Sequence, residues 1–288
     1  MKLTILYRGL LSSCNYDCSY CPFAKHRETT RELAADRRAL RRFVDWIGTR
    51  TDHRFSVLFT PWGEALVRRW YQEALVELTR LDHIEKVAVQ TNLSCSLDWL
   101  SRARVERLAF WATYHPSQVD RRRFLAQCRK IERFGARYSV GVVGMKEHAA
   151  EIGSLRRDLP PHVYLWINAY KRVRDYYSPA DVEFLESIDP LFPINNTQHA
   201  SLGHACRTGE TVVSVDGDGT LRRCHFIAEP IGNLYEPNFE QALKPRPCTN
   251  ATCGCHIGYV HLESLKLDEV FGEGILERVP ANGSLTGP

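Results

Sequence analysis

Predicted strands and helices alternate through the first two thirds of the chain, and this alternation constrains the fold more than any other feature. Strands are predicted at 3–8, 55–59, 86–91, 108–113, 138–143 and 163–167, and helices follow them at 31–47, 66–81, 97–105, 119–134, 147–159 and 178–187. Six such units in series favour parallel strands joined by right-handed crossovers. The sequence therefore predicts an α/β protein, either an open sheet or a partial barrel, that binds its ligands at the carboxyl ends of the strands.

The pattern changes after Pro190. Residues 211–215 and 220–224 predict a β-hairpin around the Asp- and Gly-rich turn Asp216–Gly219. We expect a core domain at 1–190, a small cysteine-rich hairpin appendage at 191–278 and a disordered tail at 279–288.

Composition excludes several classes of protein. The chain has 288 residues, of which 44% are hydrophobic and 25% charged, so it has ample material for a folded core. Its net charge of +4 is modest, and basic residues alternate with acidic ones, so nucleic acid is not an expected partner. No membrane span or signal peptide is recognisable, and we expect a cytoplasmic protein without a membrane partner.

Eight of the ten cysteines fall into two tight groups. Disulfides are not expected in the cytosol, which keeps thiols reduced, so this grouping favours metal or cluster ligation. The first group, Cys14, Cys18 and Cys21, has the spacing C-x3-C-x2-C in the loop after the first strand. Three thiolates can hold a 4Fe-4S cluster and leave one iron open. A structural zinc ion would need a fourth ligand, which His26 could supply.

This spacing, with the aromatic Tyr20 directly before the third cysteine, resembles the signature of the radical S-adenosylmethionine (radical SAM) superfamily. The resemblance implies a partial (β/α)6 barrel whose open iron chelates S-adenosylmethionine. In that family an electron from the cluster cleaves the sulfonium, and the resulting 5′-deoxyadenosyl radical abstracts hydrogen from a substrate C–H bond. It also implies an electron donor such as flavodoxin or ferredoxin.

The resemblance extends to residues after the other strands. Gly63 and Glu64 follow the second strand, where the family carries a Gly-Gly-Glu type motif that holds the methionine amino group; Trp62 takes the place of the first glycine. By the same resemblance we expect cofactor contacts from Tyr20, Gly63, Glu64, Asn92, Val143 and Asn168, and catalytic roles for Tyr114, His115 and Tyr170.

The second cysteine group resembles the SPASM and twitch appendages of some radical SAM enzymes, which bind auxiliary 4Fe-4S clusters. Its members are Cys206, Cys224, Cys248, Cys253 and Cys255. Five cysteines fit one auxiliary cluster, the twitch version, and leave one of the last three as a spare. A zinc ribbon is the alternative, since hairpins with paired cysteines also bind zinc.

These features together predict a radical SAM enzyme that oxidises or epimerises a small polar metabolite. Because the first strand begins near residue 3, we expect no N-terminal leader-binding domain like that of many peptide-modifying relatives. Maturation of a ribosomal peptide by crosslinking or oxidation is the alternative reaction. A non-catalytic zinc or iron-sulfur binding module is the alternative class.

Overall fold

A computed structural model describes residues 1–281. Its strands are β1 Lys2–Gly9, β2 Arg54–Phe59, β3 Ile84–Thr91, β4 Leu108–Tyr114, β5 Arg137–Val143, β6 Leu165–Asn168, β7 His199–Ala200, β8 Val212–Asp216, β9 Thr220–Arg222, β10 Pro230–Asn233 and β11 Thr252–Cys253. Its α-helices are α1 Thr30–Thr49, α2 Arg69–Arg80, α3 Arg121–Phe134, α4 Ala149–Asp158, α5 Pro179–Ile188, α6 Phe192–Asn195, α7 His256–Tyr259 and α8 Leu267–Phe271.

The six predicted parallel strands form one sheet in the order of the sequence, β1 to β6. The predicted hairpin continues this sheet, because β8 pairs in parallel with β1 and is followed by the antiparallel strands β9 and β10. The resulting order is β10-β9-β8-β1-β2-β3-β4-β5-β6, so the sheet is open and not closed into a barrel. This confirms the predicted mixed α/β class with parallel strands.

Local sequence explains where the helices begin. Thr29 and Glu32 form a capping box at α1, and Ser178 forms another at α5 with Pro179 in the first turn. Asp120 caps α3 by accepting two backbone N–H groups. The helix predicted at 97–105 is instead a pair of short 3₁₀ turns, Asp98–Arg102 and Val105–Arg107, because the segment is too short and too polar for an amphipathic α-helix.

The two faces of the sheet are covered by different parts of the chain. Alternate strand side chains such as Tyr7, Phe59 and Phe110 pack against the helices that connect the strands. The intervening side chains pack against the C-terminal segment that carries α7 and α8. This second face of the sheet is thus covered by a segment far away in sequence.

The end of the described chain is held in place. The Val279 and Ala281 N–H groups donate to the Gly274 and Val270 carbonyls. The rest of the tail predicted to be disordered, 282–288, lies outside the described residues. None of the helices in residues 1–281 is long and apolar enough to span a membrane.

Candidate active site at the carboxyl ends of the strands

The loops after the first four strands enclose a cavity of about 230 Å³. The predicted site residues that line it are Cys14, Cys18, Cys21, Gly63, Glu64, Asn92 and His115. Residues dispersed over a hundred positions therefore meet, as expected for the carboxyl edge of a parallel sheet.

Backbone hydrogen bonds fasten the loop after β2 to the cysteine loop. Trp62 N–H donates to the Leu11 carbonyl, and Glu64 N–H donates to the Ser13 carbonyl, each over 3.1 Å. Between them, a Cβ atom on Gly63 would overlap the Ser13 carbonyl oxygen. Gly63 is therefore required for the close packing of the two loops.

The Glu64 carboxylate ties the ends of β2 and β3 together. It is 4% exposed and accepts from Leu66 N–H at 3.0 Å, Thr91 Oγ1 at 2.8 Å and Asn92 N–H at 2.6 Å. Burial raises the pKa of this carboxyl group to about 6. Two carboxylate oxygens offer about four acceptor positions, so the group retains acceptor capacity toward the cavity that it lines.

Polar side chains surround two of the three thiols. Asn92 Nδ2 lies 3.8 Å from Cys14 Sγ and donates to Asn15 Oδ1 at 3.1 Å. His115 Nδ1 lies 3.3 Å from Cys18 Sγ and 2.8 Å from the Tyr20 hydroxyl. Burial lowers the pKa of His115 to about 4, so its ring is neutral near pH 7.

Burial also acts on the thiols. It raises the pKa of Cys18 to about 11. Tyr20 and Met145 pack around this thiol and form a small hydrophobic cluster with it. Val143 and Tyr170 lie at the edge of this hydrophobic cluster. Lys25, which sequence reasoning missed, donates from Nζ to the Cys18 carbonyl at 2.7 Å.

A second cavity, of about 220 Å³, adjoins the first and shares Phe23, Trp62 and Thr113 with it. Val143 and Asn168, both predicted cofactor contacts, line this cavity instead of the first. Its other notable lining residues, which sequence reasoning did not select, are Arg8, Trp111, Trp166, Phe226, Cys255 and His256.

Strand alternation is the signal that could have identified the wall residues. Trp111, Thr113 and His115 are spaced two apart along β4 and its end, and all three line a cavity. A strand sends such residues to one face. Tyr114 therefore faces the helices, where its hydroxyl donates to Glu151 Oε1 at 2.9 Å.

Of the three predicted catalytic residues, the structure thus brings only His115 to a cavity wall of the site. Tyr170 packs at the edge of the hydrophobic cluster that contains Cys18 and Tyr20. Its backbone N–H donates to the Tyr177 hydroxyl at 2.7 Å. It faces a separate surface depression that also contains Lys171 and Tyr176.

The cysteines of the second group lie near one another, outside the first cavity. Cys224 and Cys248 are buried in contact with Ile227. Burial raises the pKa of Cys253 to about 12. Repulsion between its thiolate and four nearby thiols adds to the effect, and these belong to Cys224, Cys255, Cys248 and Cys206. A Cβ atom on Gly258 would press on Cys253 Sγ, so this glycine leaves room beside the sulfur.

Cys255 differs from the other four cysteines of this group. Its side chain is exposed, and it lines the second cavity beside Arg8 and His256. Nowhere in residues 1–281 do three or more His, Cys, Asp or Glu side chains converge closely enough to hold a single metal ion.

Comparison with known proteins identifies the fold. No protein-family model matches the chain, and no curated protein sequence matches it. Among solved structures, native anSMEcpe with bound AdoMet and the Kp18Cys peptide is 14% identical, with 85% of this chain and 81% of that chain covered at a TM-score of 0.56. Streptococcus suis SuiB is 13% identical, with 83% of this chain and 67% of that chain covered at a TM-score of 0.50. These neighbours are radical SAM enzymes.

The chain has the radical SAM fold. In the radical SAM fold adopted here, the cysteine loop follows the first strand and the Gly63-Glu64 loop follows the second. The resemblance that the cysteine spacing suggested is therefore confirmed at the level of the fold.

Proposed function

We propose that this protein is a radical SAM enzyme in which Cys14, Cys18 and Cys21 hold a 4Fe-4S cluster and the first cavity receives S-adenosylmethionine. One observation carries the proposal. In a chain with the radical SAM fold, the three cysteines share a single cavity with Glu64 and the end of β3.

The residues fit such a cluster. The donors are three thiols on one short loop, the ligand type that iron-sulfur clusters require. When bound, the cluster would supply the electron that cleaves the sulfonium of S-adenosylmethionine. The protein would shield this chemistry from water with Tyr20 and Met145, which pack around Cys18.

Glu64 and Asn92 would position the cofactor. The remaining acceptor capacity of the Glu64 carboxylate suits the ammonium group of S-adenosylmethionine. Its three hydrogen bonds hold it rigidly in place before the cofactor binds, which reduces the ordering cost of binding.

We infer an auxiliary 4Fe-4S cluster held by Cys206, Cys224, Cys248 and Cys253, with Cys255 as the spare cysteine. The support is spatial: Cys253 lies near the other four thiols of the group, and of these five cysteines Cys255 alone lines the second cavity. A zinc ion at the same four cysteines is the alternative; it would require these thiols to move closer together than they lie in this structure. Metal analysis of purified protein separates the two.

The second cavity is the proposed substrate site. It adjoins the first cavity, and its volume of about 220 Å³ suits a small molecule. We therefore favour oxidation or epimerisation of a small polar metabolite. Modification of a peptide is the second candidate, favoured by the peptide bound in the anSMEcpe structures.

The decisive test replaces Cys14, Cys18 and Cys21 together with alanine. We expect the folded variant to lose about four irons per chain and all reductive formation of 5′-deoxyadenosine, measured after anaerobic reconstitution with dithionite as reductant. Cys128→Ala is the matched control, since this thiol is buried in the α3 core away from both cavities. Deoxyadenosine formation at the control rate by the triple variant would reject the proposed function.

A further inference from the structure

We propose that the substrate carries an oxyanion, a carboxylate or a phosphate, that is received by Arg8 in the second cavity. This inference rests on the proposed function, because it takes the second cavity as the substrate site. It adds a chemical class of substrate that neither the fold nor the cysteine motifs define.

Within residues 1–281, Arg8 is a buried cation without a carboxylate partner. It lies near the end of β1, is 8% exposed and lines the cavity. Its Nη1 donates to the Thr60 carbonyl at 2.8 Å, and its guanidinium carbon lies 3.9 Å from the centre of the Trp62 ring. No carboxylate of residues 1–281 lies within ion-pair distance of it.

Such an arrangement is costly unless a ligand completes it. A buried charge loses its hydration, and one carbonyl and one aromatic ring replace only part of that loss. Burial lowers the pKa of Arg8 to about 10, so the side chain is still a cation near pH 7. One of the five guanidinium N–H groups donates to Thr60, and the other four do not. Two parallel N–H groups of a guanidinium can donate to two oxygens of one carboxylate or phosphate.

The rest of the cavity reinforces its preference for an anion. Among the residues described, no Asp or Glu lines it. His256 lines it, is 3% exposed, and has no hydrogen-bond partner at Nε2. Arg278, 1% exposed and unpartnered at Nε and Nη1, lies 4.4 Å from the ring centre of Trp166, itself a wall residue. Arg278 does not line the cavity itself and is close to the buried Asp189 carboxylate, so Arg8 is the arginine at the wall, where no Asp or Glu offsets its charge.

The walls define the rest of the ligand. Five aromatic side chains line the cavity together with Arg8: Phe23, Trp62, Trp111, Trp166 and Phe226. Such walls favour a planar or apolar body attached to the oxyanion. Cys14, Cys18 and Cys21 do not line this cavity, whereas the predicted cofactor contacts Val143 and Asn168 do, so S-adenosylmethionine held at the three cysteines would lie next to the anion site.

The test measures binding of small probes to the reconstituted protein without S-adenosylmethionine. Benzoate and phenyl phosphate present the two oxyanions on a planar body, and benzamide is the neutral control. Quenching of tryptophan fluorescence reports binding, because three tryptophans line the cavity. We expect at least one acid to bind about tenfold or more tightly than benzamide, and the tighter acid identifies the oxyanion.

Arg8→Gln should weaken binding of that acid at least about tenfold and leave benzamide unchanged, because the amide retains a donor but not the charge. Arg8→Lys, which keeps the charge but not the paired donors, should retain part of the affinity and shows that the site folds. Arg69→Gln is the matched control, since Arg69 is exposed and pairs with Glu73 on α2.

Equal binding of acids and benzamide, or unchanged affinity in Arg8→Gln, would overturn the inference. Weakened binding of S-adenosylmethionine in Arg8→Gln, with unchanged probe binding, would assign Arg8 to the cofactor and overturn it as well. Deoxyadenosine formation, measured separately, tests the proposed function. A protein that binds the acid but cleaves no S-adenosylmethionine therefore rejects only that function.

Discussion

At the scale of single residues, neighbours in sequence have different surroundings. Cys253 and Cys255 are two positions apart, and both thiols lie near the second cysteine group, yet only Cys255 also lines the second cavity. Cys253 belongs to β11, whereas Cys255 immediately precedes α7, so the backbone changes direction between them. Gly254 lies between them, and a Cβ atom there would press on the Gln198 side chain.

The first prediction separates these two cysteines. Cys253→Ala should lower the iron content of the anaerobically reconstituted protein from about eight to about four per chain, because a cubane needs its full set of ligands. Cys255→Ala, its matched control, should retain about eight. The reverse pattern, with iron lost from Cys255→Ala alone, would make Cys253 the spare cysteine.

At the scale of elements, the site depends on contacts between loops and helices. Asp36 on α1 is fully buried and accepts from Leu10 N–H, Trp70 Nε1 and the Tyr71 hydroxyl. These bonds join α1 and α2 to the end of β1, where the cysteine loop begins. The loop after β2 then packs on the cysteine loop at Gly63.

The second prediction concerns that packing. Gly63→Ala should separate the two loops, because its Cβ atom meets backbone that has no rotamer freedom to move aside. We expect loss of the site cluster, seen as iron content, and of affinity for S-adenosylmethionine measured by equilibrium dialysis.

The control for this variant is Gly48→Ala in α1, where a Cβ atom would meet no neighbour within 4 Å. Alanine there should raise the free energy of unfolding by about 0.5–1 kcal/mol and leave both ligands bound. If Gly63→Ala behaves in the same way, the loops are not held by the close approach that we describe.

At the scale of the whole molecule, the C-terminal third is part of the main fold. Residues such as Tyr259, Leu262 and Phe271 pack on the sheet face opposite the connecting helices. The same segment supplies Cys255 and His256 to the second cavity. The second cavity, which we propose as the substrate site, is therefore lined in part by residues far in sequence from the first cysteine group.

The third prediction follows from this placement. The Cys206→Ala, Cys224→Ala double variant should still form deoxyadenosine, because the first cavity does not contain these residues. We propose that the auxiliary cluster serves a step after hydrogen abstraction, so product formation from a turned-over substrate should fall by at least about a hundredfold.

Both activities are measured in the same folded preparation, with its fold checked by circular dichroism. Full product yield would contradict a role for the second cluster in turnover. If the second cysteine group only stabilises the fold, the variant should unfold and lose both activities together.

Local patterns determined much of this protein in advance. The six strands and five of the six predicted helices arise from periodicity and caps, such as Ser178 with Pro179, which depend on residues a few positions apart. The spacing of Cys14, Cys18 and Cys21 likewise places three thiols on one loop without reference to the rest of the chain.

Only the tertiary structure decided the rest. Pairing of β8 with β1 joins segments about two hundred residues apart, and no local pattern encodes which edge a hairpin selects. The tertiary structure also showed that Arg8 and Cys255 line the second cavity. These depend on packing between distant elements, because a side chain's charge and reactivity are set by neighbours that the fold, and not the spacing, brings to it.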